Sequence, residues 1–347
     1  MNHPLKFVQI LRGFAAIAVL VYHAGIYSAL YFKTKSFGFE YGTLGVDFFF
    51  TLSGFIITYI HLSDIGGKGS VNTFIFKRFI RVFPFYWFTL LAVIALDPPS
   101  FPGWKLFLQN LLLFRIPMSA MPLKVAWSLT FEIVFYILFA IAITAGWRLT
   151  KIMIGCWLLL IIFAPQIHHT LLQVFVSNLN IEFIFGCLAG YIFILKKPEL
   201  KPSVFFIGFL IISATLLLCV TWRGFDRFSI IMTTLIGLAS AWIILHAALL
   251  DKAQLYRSFA LPVLVLAGDA SYAIYLTHTV YMPYLYRLFN DFIDASSLNN
   301  YLMALIVLFI ILIAIFIGIL IHKFIEKPLL VFLRRQFHLL TTRASLS

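Results

Sequence analysis

Charged side chains are scarce in this chain. Asp, Glu, Lys and Arg make up 11% of its 347 residues, against about 25% in an ordinary soluble domain. A soluble globule of this length cannot cover its surface with so few charges, so that class is excluded. Acids are the rarer sign, 13 against 26 Lys and Arg. Cysteine occurs three times, at Cys156, Cys187 and Cys219, each alone in an apolar run. That excludes a disulfide framework, and neither a CxxC pair nor a metal-ligand spacing is present, so no metal is expected. The three read as small core hydrophobes. The low apolar content that disorder requires is missing as well.

What is abundant points one way. Hydrophobic residues make up 62% of the chain and Phe alone contributes 39, with a mean hydropathy of +1.00. The sequence is that of an all-α, polytopic integral membrane protein whose first partner is the lipid bilayer. The formal net charge of +13 would suggest nucleic acid in a soluble chain. Here basic residues placed in cytoplasmic loops against an anionic leaflet account for it, and no nucleic-acid partner is expected.

A spanning helix needs about 20 largely apolar residues. Ten segments approximate that: 8–30, 45–62, 74–96, 125–145, 150–166, 181–195, 203–221, 229–249, 261–289 and 301–322. The first lacks a small-residue cleavage site and is too long for a removable signal peptide, so it reads as a signal anchor. The shorter apolar stretch 104–114, between Pro102 and Pro117, reads as re-entrant or interfacial. With the N-terminus in the cytoplasm, the inner side receives 18 of the Lys and Arg residues and the outer side 8. This favours both termini inside and an even number of spans, in the inner membrane of a bacterial cell. One domain over residues 1–347 is expected.

Ionisable groups within a bilayer cost about 2.5–3.5 kcal/mol each even on the lenient insertion scale, so each needs a reason. The candidates are His23, Asp47, Glu132, Glu182, Asp269 and His278. Arg12 and His23 are eleven residues apart, about 20° past three full turns, and share one face of the first helix about 16 Å apart. Arg12 then sits at the cytoplasmic edge and His23 in the outer half. Asp47, Glu132 and His278 fall at a matching depth, which suggests a cavity. Glu182, near an outer helix end, reads as interfacial. The adjacent His168 and His169 have no carboxylate or cysteine nearby and do not read as a metal site. Gly66-Gly67-Lys68-Gly69-Ser70 lacks P-loop spacing and reads as a flexible inner loop.

At the cytoplasmic start of the third segment, Lys77 is followed by Arg78 and Arg81, which share a helical face. Two guanidinium forks beside an ammonium suit a phosphate-rich ligand, although flanking charge of the ordinary positive-inside kind explains them equally well. Pro84 is expected to kink the helix just above. A neutral imidazole in a water-poor cavity can take a proton from a hydroxyl, with Asp47 or Glu132 orienting it. The pantetheine arm of coenzyme A is long enough to carry a thioester from the arginines to His23. Acyl transfer joins the two constellations. A transporter or flippase of a lipid-linked sugar would use the same polar residues without an activated donor, and the absence of a visible internal repeat speaks against it.

Six sequence patches resemble the acyltransferase 3 family, the membrane sugar O-acyltransferases, and most of all its branch of exopolysaccharide (ExoZ-like) and O-antigen acetylases. They are Leu11-Arg12-Gly13 through Tyr22-His23, Gly45-Val46-Asp47 through Ser53-Gly54-Phe55, and Lys77-Arg78 through Arg81-Val82-Phe83-Pro84. The others are Trp127-Ser128-Leu129 with Glu132 and Tyr136, Ser271-Tyr272 through Tyr275-Leu276 with His278, and Glu326-Lys327-Pro328. The resemblance implies acyl-coenzyme A, most simply acetyl-coenzyme A, as co-substrate, with no permanently bound cofactor, and a glycan or lipid-linked sugar as acceptor. Succinyl transfer is the variant left open. It implies His23 as catalytic base and Arg12, Arg78 and Arg81 as associated with acyl-coenzyme A. Asp47 and Glu132 match its motifs without a role from it; their matching depth sets them beside His23, and adjacency to Arg78 adds Lys77 to the donor contacts. Ser53, Trp127, Ser271, Tyr275, His278 and Glu326 carry over as motif members without assigned roles. Some relatives continue into an extracytoplasmic SGNH-type domain. With about 25 residues after the last apolar segment, that domain is not expected here.

Overall fold

A computed structural model describes residues 5–33, 39–67, 70–113, 121–164, 170–199, 201–224, 226–253, 261–292 and 299–344. Among them the regular structure is helical, without strands. Chain contacts divide it into two compact units. The first comprises Met1–Ala15, Leu44–Asn72 and Ser128–Gly268; the second comprises Ala16–Thr43, Thr73–Trp127 and Asp269–Ser347. Helix α1 (Lys6–Phe32) therefore contributes its N-terminal turns to one unit and the rest to the other.

The first unit is built on α2 (Leu44–His61), α5 (Trp127–Phe163), α6 (Thr170–Val176), α7 (Asn180–Tyr191), α8 (Pro202–Arg223), α9 (Ile230–Ala253) and α10 (Leu261–Asp269), with α3 (Ser70–Leu96) only beginning there. Val8, Leu52, Phe55, Ala189, Ile244 and Ala248 form one buried cluster that joins α1, α2, α7 and α9. The start of α1 is fixed by Asp251 near the end of α9, whose carboxylate accepts from the Phe7 N–H at 2.9 Å and the Val8 N–H at 3.3 Å. A carboxylate at the first turn satisfies amides that no helix can satisfy internally and meets the positive end of the helix dipole.

Helix α5 is two arms. Gly146 adopts φ 77°, ψ 171°, and the Thr150 hydroxyl donates to the Ala142 carbonyl at 3.3 Å. In a straight helix those residues would be about 12 Å apart. The chain doubles back, so Leu138 of one arm packs in one cluster with Trp157 and Ile161 of the other. This is the division that the segments 125–145 and 150–166 anticipate.

Backbone proximity sets the α2–α7 contact. A Cβ on Gly186 would lie 1.9 Å from the Thr51 carbonyl oxygen, and one on Gly54 would lie 2.2 Å from that of Phe183. Between helices in lipid, association rests on such close packing. Neither obstacle is a movable side chain, so Gly186→Val is expected to destabilise the fold by about 3 kcal/mol or more. Thermal unfolding in detergent measures it; an unchanged midpoint would mean that α7 is free to slide away from α2.

The second unit holds the rest of α1 and α3, together with α4 (Trp104–Leu111), α11 (Ser271–Phe292), α12 (Asn300–Ile321) and α13 (Lys327–Ala344). Helix α3 runs through Pro84 without interruption. Two residues before it, the Tyr272 hydroxyl donates to the Val82 carbonyl at 2.9 Å and ties α11 to α3. The stretch after Pro102 forms the short α4. Tyr86 and Trp87 of α3 donate to its terminal carbonyls at Asn110 and Leu111 at 2.8 and 2.7 Å.

By length and apolarity, six helical stretches among the described residues can cross a membrane, or seven if α10 and α11, bent by 65°, are one broken span. The chain is thus a multi-pass membrane protein, and ten spans are not reached by that measure. The differences have identifiable sources. The doubled-back α5 counts once, α7 has twelve residues before a π turn (Ile192–Lys196), and the apolar part of α8 is short. Of the cysteines read as core, Cys156 is exposed and Cys187 half-buried. A face turned to lipid is as apolar as a core, so apolar neighbours do not signal burial. The side chain of Cys219 lies outside the described residues.

Candidate functional site

In the second unit the structure brings His23 of α1 and His278 of α11 together. Their hydrogen bonds determine which nitrogens carry protons. A carbonyl only accepts, so the His278 Nδ1–H donates to the Ile274 oxygen at 3.0 Å, which leaves His278 Nε2 with its lone pair. The His23 Nδ1–H is shared between the Val19 carbonyl at 2.9 Å and that lone pair at 3.1 Å. His23 Nε2 is then unprotonated and available as an acceptor. His278 is fully buried, while His23 is half-buried. The rings are tilted, with centroids 4.9 Å apart. The pairing thus sets one tautomer, with the basic atom on the more accessible ring.

The arginine pair of α3 is divided by its surroundings. Arg81 donates to Glu326 Oε1 at 2.7 Å, while the His322 Nδ1–H donates to Oε2 at 2.7 Å. Glu326 is fully buried at the end of the π turn (His322–Glu326) between α12 and α13. The Arg81 guanidinium also lies over the Tyr272 ring, 5.1 Å from its centroid. Its charge is therefore met inside the protein. Arg78 is half-buried with its guanidinium over the Phe74 ring at 5.9 Å, and Lys77 is exposed. The Tyr275 hydroxyl donates to the Val125 carbonyl at 2.9 Å, beside the 3₁₀ turn that leads into Trp127. The buried Ser271 hydroxyl has no hydrogen-bond partner among the described residues.

In the first unit the carboxylates have partners of their own. Asp47, fully buried near the start of α2, accepts from Arg227 Nε at Oδ1, 3.1 Å away, within an ion pair whose closest approach is 2.8 Å, and the arginine side chain is itself 10% exposed. Glu182 of α7, read as interfacial, is instead fully buried beside Asp47. Glu182 lies in the first turn of α7, and a terminal turn is buried where a neighbouring helix covers it, as α2 does here through Asp47. Glu132 accepts from the Ser53 hydroxyl at 3.0 Å and from the Tyr136 hydroxyl. Three motif residues from two distant patches thus form one polar cluster. Asp47 and Glu132, expected to orient His23, belong to the first unit and His23 to the second; among the described residues of its own unit, the His23 ring is hydrogen-bonded to His278. Arg12, half-buried, lies 3.4 Å from Gln9 Oε1.

Sequence reasoning missed Arg227, which it counted only as a loop charge, and His322. Their signal is visible in retrospect. A buried acid near a helix end needs a cation within reach, and His322 stands one helical turn from Glu326. Asp269, counted among the intramembrane acids, is exposed at the break between α10 and α11. His168, His169, Lys68 and Gly69 lie outside the described residues.

Comparison with known proteins follows the same line. The family model described as an acyltransferase domain, acyltransferase 3, matches residues 5–323. The exopolysaccharide production protein ExoZ of Rhizobium meliloti is 30% identical over 259 residues, which cover 70% of this chain and 77% of that protein. The acyltransferase MdmB of Streptomyces mycarofaciens is 25% identical over 94% of this chain and 92% of its own length. The O-acetyltransferase OatA of Staphylococcus aureus is 24% identical over 77% of this chain, and the match spans 49% of that protein. No solved structure matches.

Proposed function

Because the chain belongs to the acyltransferase 3 family, we propose that it moves an acyl group, acetyl in the first instance, from cytoplasmic acyl-coenzyme A to a hydroxyl of an exported or cell-surface polysaccharide. The similarity to ExoZ, a protein of exopolysaccharide production, supports a polysaccharide acceptor, and that to the O-acetyltransferase OatA supports acetyl transfer to an oxygen. In this reading the chain lies in the bacterial inner membrane with ten spans and both termini in the cytoplasm, as the distribution of Lys and Arg suggests.

The observation that carries the chemistry is the pair of contacts at His23 Nδ1, to the Val19 carbonyl and to His278 Nε2, which in the neutral ring leave Nε2 as the base. Its Nε2 takes the proton of the acceptor hydroxyl as the oxygen attacks the thioester carbonyl. The tetrahedral intermediate expels the coenzyme A sulfur, and the imidazolium returns its proton to that thiolate. Base and acid are one group, as acyl transfer requires. His278 is a positioning residue, since it acts through His23. Arg78 and Lys77 of α3 are the cations we assign to the donor's phosphates. Arg81 serves by holding α3 against Glu326.

The test uses the purified protein in proteoliposomes with acetyl-coenzyme A labelled in its acetyl group and a glycan acceptor. Ester-linked label on the glycan is the expected result. Movement of the sugar without dependence on a donor would replace this reading with that of a transporter.

A further inference from the structure

The first unit contains a cavity of about 700 Å³ that the acyl-transfer chemistry leaves unused, within the range of small-ligand sites. Three ammonium groups from three separate elements line it. Lys151 follows the Gly146 reversal in α5, Lys197 closes the π turn after α7, and Lys252 lies in the last turn of α9. No acid is among its lining residues. Tyr59, Trp147 and Tyr191 supply an aromatic wall, the last two edge to face with centroids 6.2 Å apart. Lys197 adopts φ 45°, ψ 51°, a left-handed conformation that costs a residue with a side chain and that turns this lysine out of the helical path.

The three lysines are exposed, so water and salt screen their mutual repulsion, and their convergence on one concavity offers an anion three ammonium groups from separate elements. An aromatic wall beside them favours a ligand that is both phosphorylated and flat or greasy. We propose that this cavity binds a phosphate-bearing amphiphile through Lys151, Lys197 and Lys252. Two sources offer that chemistry: a free adenine nucleotide and the headgroup of an anionic phospholipid. The donor's phosphates are assigned above to the cations of α3, so the site does not rest on that reading. All three lysines lie where the distribution of basic residues assigns the cytoplasm, the side from which either ligand arrives.

The experiment measures binding to the full chain in nanodiscs of neutral lipid, with adenosine 3′,5′-bisphosphate in one arm and phosphatidylglycerol in the other. K151Q/K197Q/K252Q is compared with the wild type and with the charge-preserving K151R/K197R/K252R. Loss of about tenfold to a hundredfold in affinity for either probe in the glutamine variant, with retention in the arginine variant and steeper weakening of the wild type by salt, supports the site. Trp147→Leu then separates the sources, since it weakens nucleotide binding and spares the lipid. Equal binding of both probes by wild type and glutamine variant, with matched unfolding midpoints, overturns the proposal. Label transfer from acetyl-coenzyme A that persists in that case leaves the donor reading intact. A wild type that transfers no label removes that reading and leaves the binding comparison to stand alone.

Discussion

His23→Ala loses acyl transfer by about 10²–10⁴-fold, the usual weight of a positioned general base, while the protein still accumulates in the membrane. The tolerance follows from place. His23 is half-buried, and its ring bonds are to the backbone of its own helix and to His278, so removing it leaves no charge stranded. The label-transfer assay measures the loss, and transfer at the wild-type rate would remove His23 as the base. His278 gives a graded companion. In His278→Asn a side-chain oxygen can still accept from the His23 Nδ1–H, so part of the rate survives. In His278→Leu that acceptor is gone, the His23 ring is held by the Val19 carbonyl alone, its orientation is less restricted, and the rate falls further. A purely structural His278 would show the opposite order, because Leu is the better core residue.

The second large effect is on stability. Asp47 and Arg227 form an ion pair in which the acid is fully buried and the guanidinium nearly so. Arg227→Ala strands Asp47 beside the equally buried Glu182, and breaking such a pair costs about 3–5 kcal/mol. Replacing both members, as in Asp47→Leu with Arg227→Leu, is expected to cost clearly less than the sum of the single changes. A double-mutant cycle from unfolding in detergent reads the coupling directly. Additive losses would mean that the two side chains do not depend on each other. Because Asp47 answers to Arg227, activity lost in Asp47 variants is expected to follow the loss of folded protein.

Much of the fold was legible because a bilayer imposes it. Apolar runs of fixed length marked the helices, and Arg148 and Lys151 between two of them marked the reversal that Gly146 makes. Intramembrane cost marked His23, Asp47, Glu132 and His278 as residues with a purpose. Spacing along one chain does not say which of them meet. His23 and His278 are 255 residues apart, Arg81 and Glu326 are 245 apart, and Ser53 and Glu132 are 79 apart. Each pair was present as two motif members and neither member named the other. Arg81 illustrates the limit, because an arginine one turn from Arg78 looks equally suited to phosphate and to a buried glutamate. Burial of Glu182 and exposure of Cys156 escaped for a different reason. Lipid removes the polar stripe by which a soluble helix announces its outer face.

The proton on one ring decides the account. Solid-state nitrogen NMR of the reconstituted protein labelled at histidine, with the His23 signals assigned by their absence in His23→Ala, reads both nitrogens of that ring at once. Nδ1 with a directly bonded hydrogen and Nε2 without one is the result required. A hydrogen found on Nε2 instead would leave no lone pair facing a substrate, and the base assigned here would be wrong.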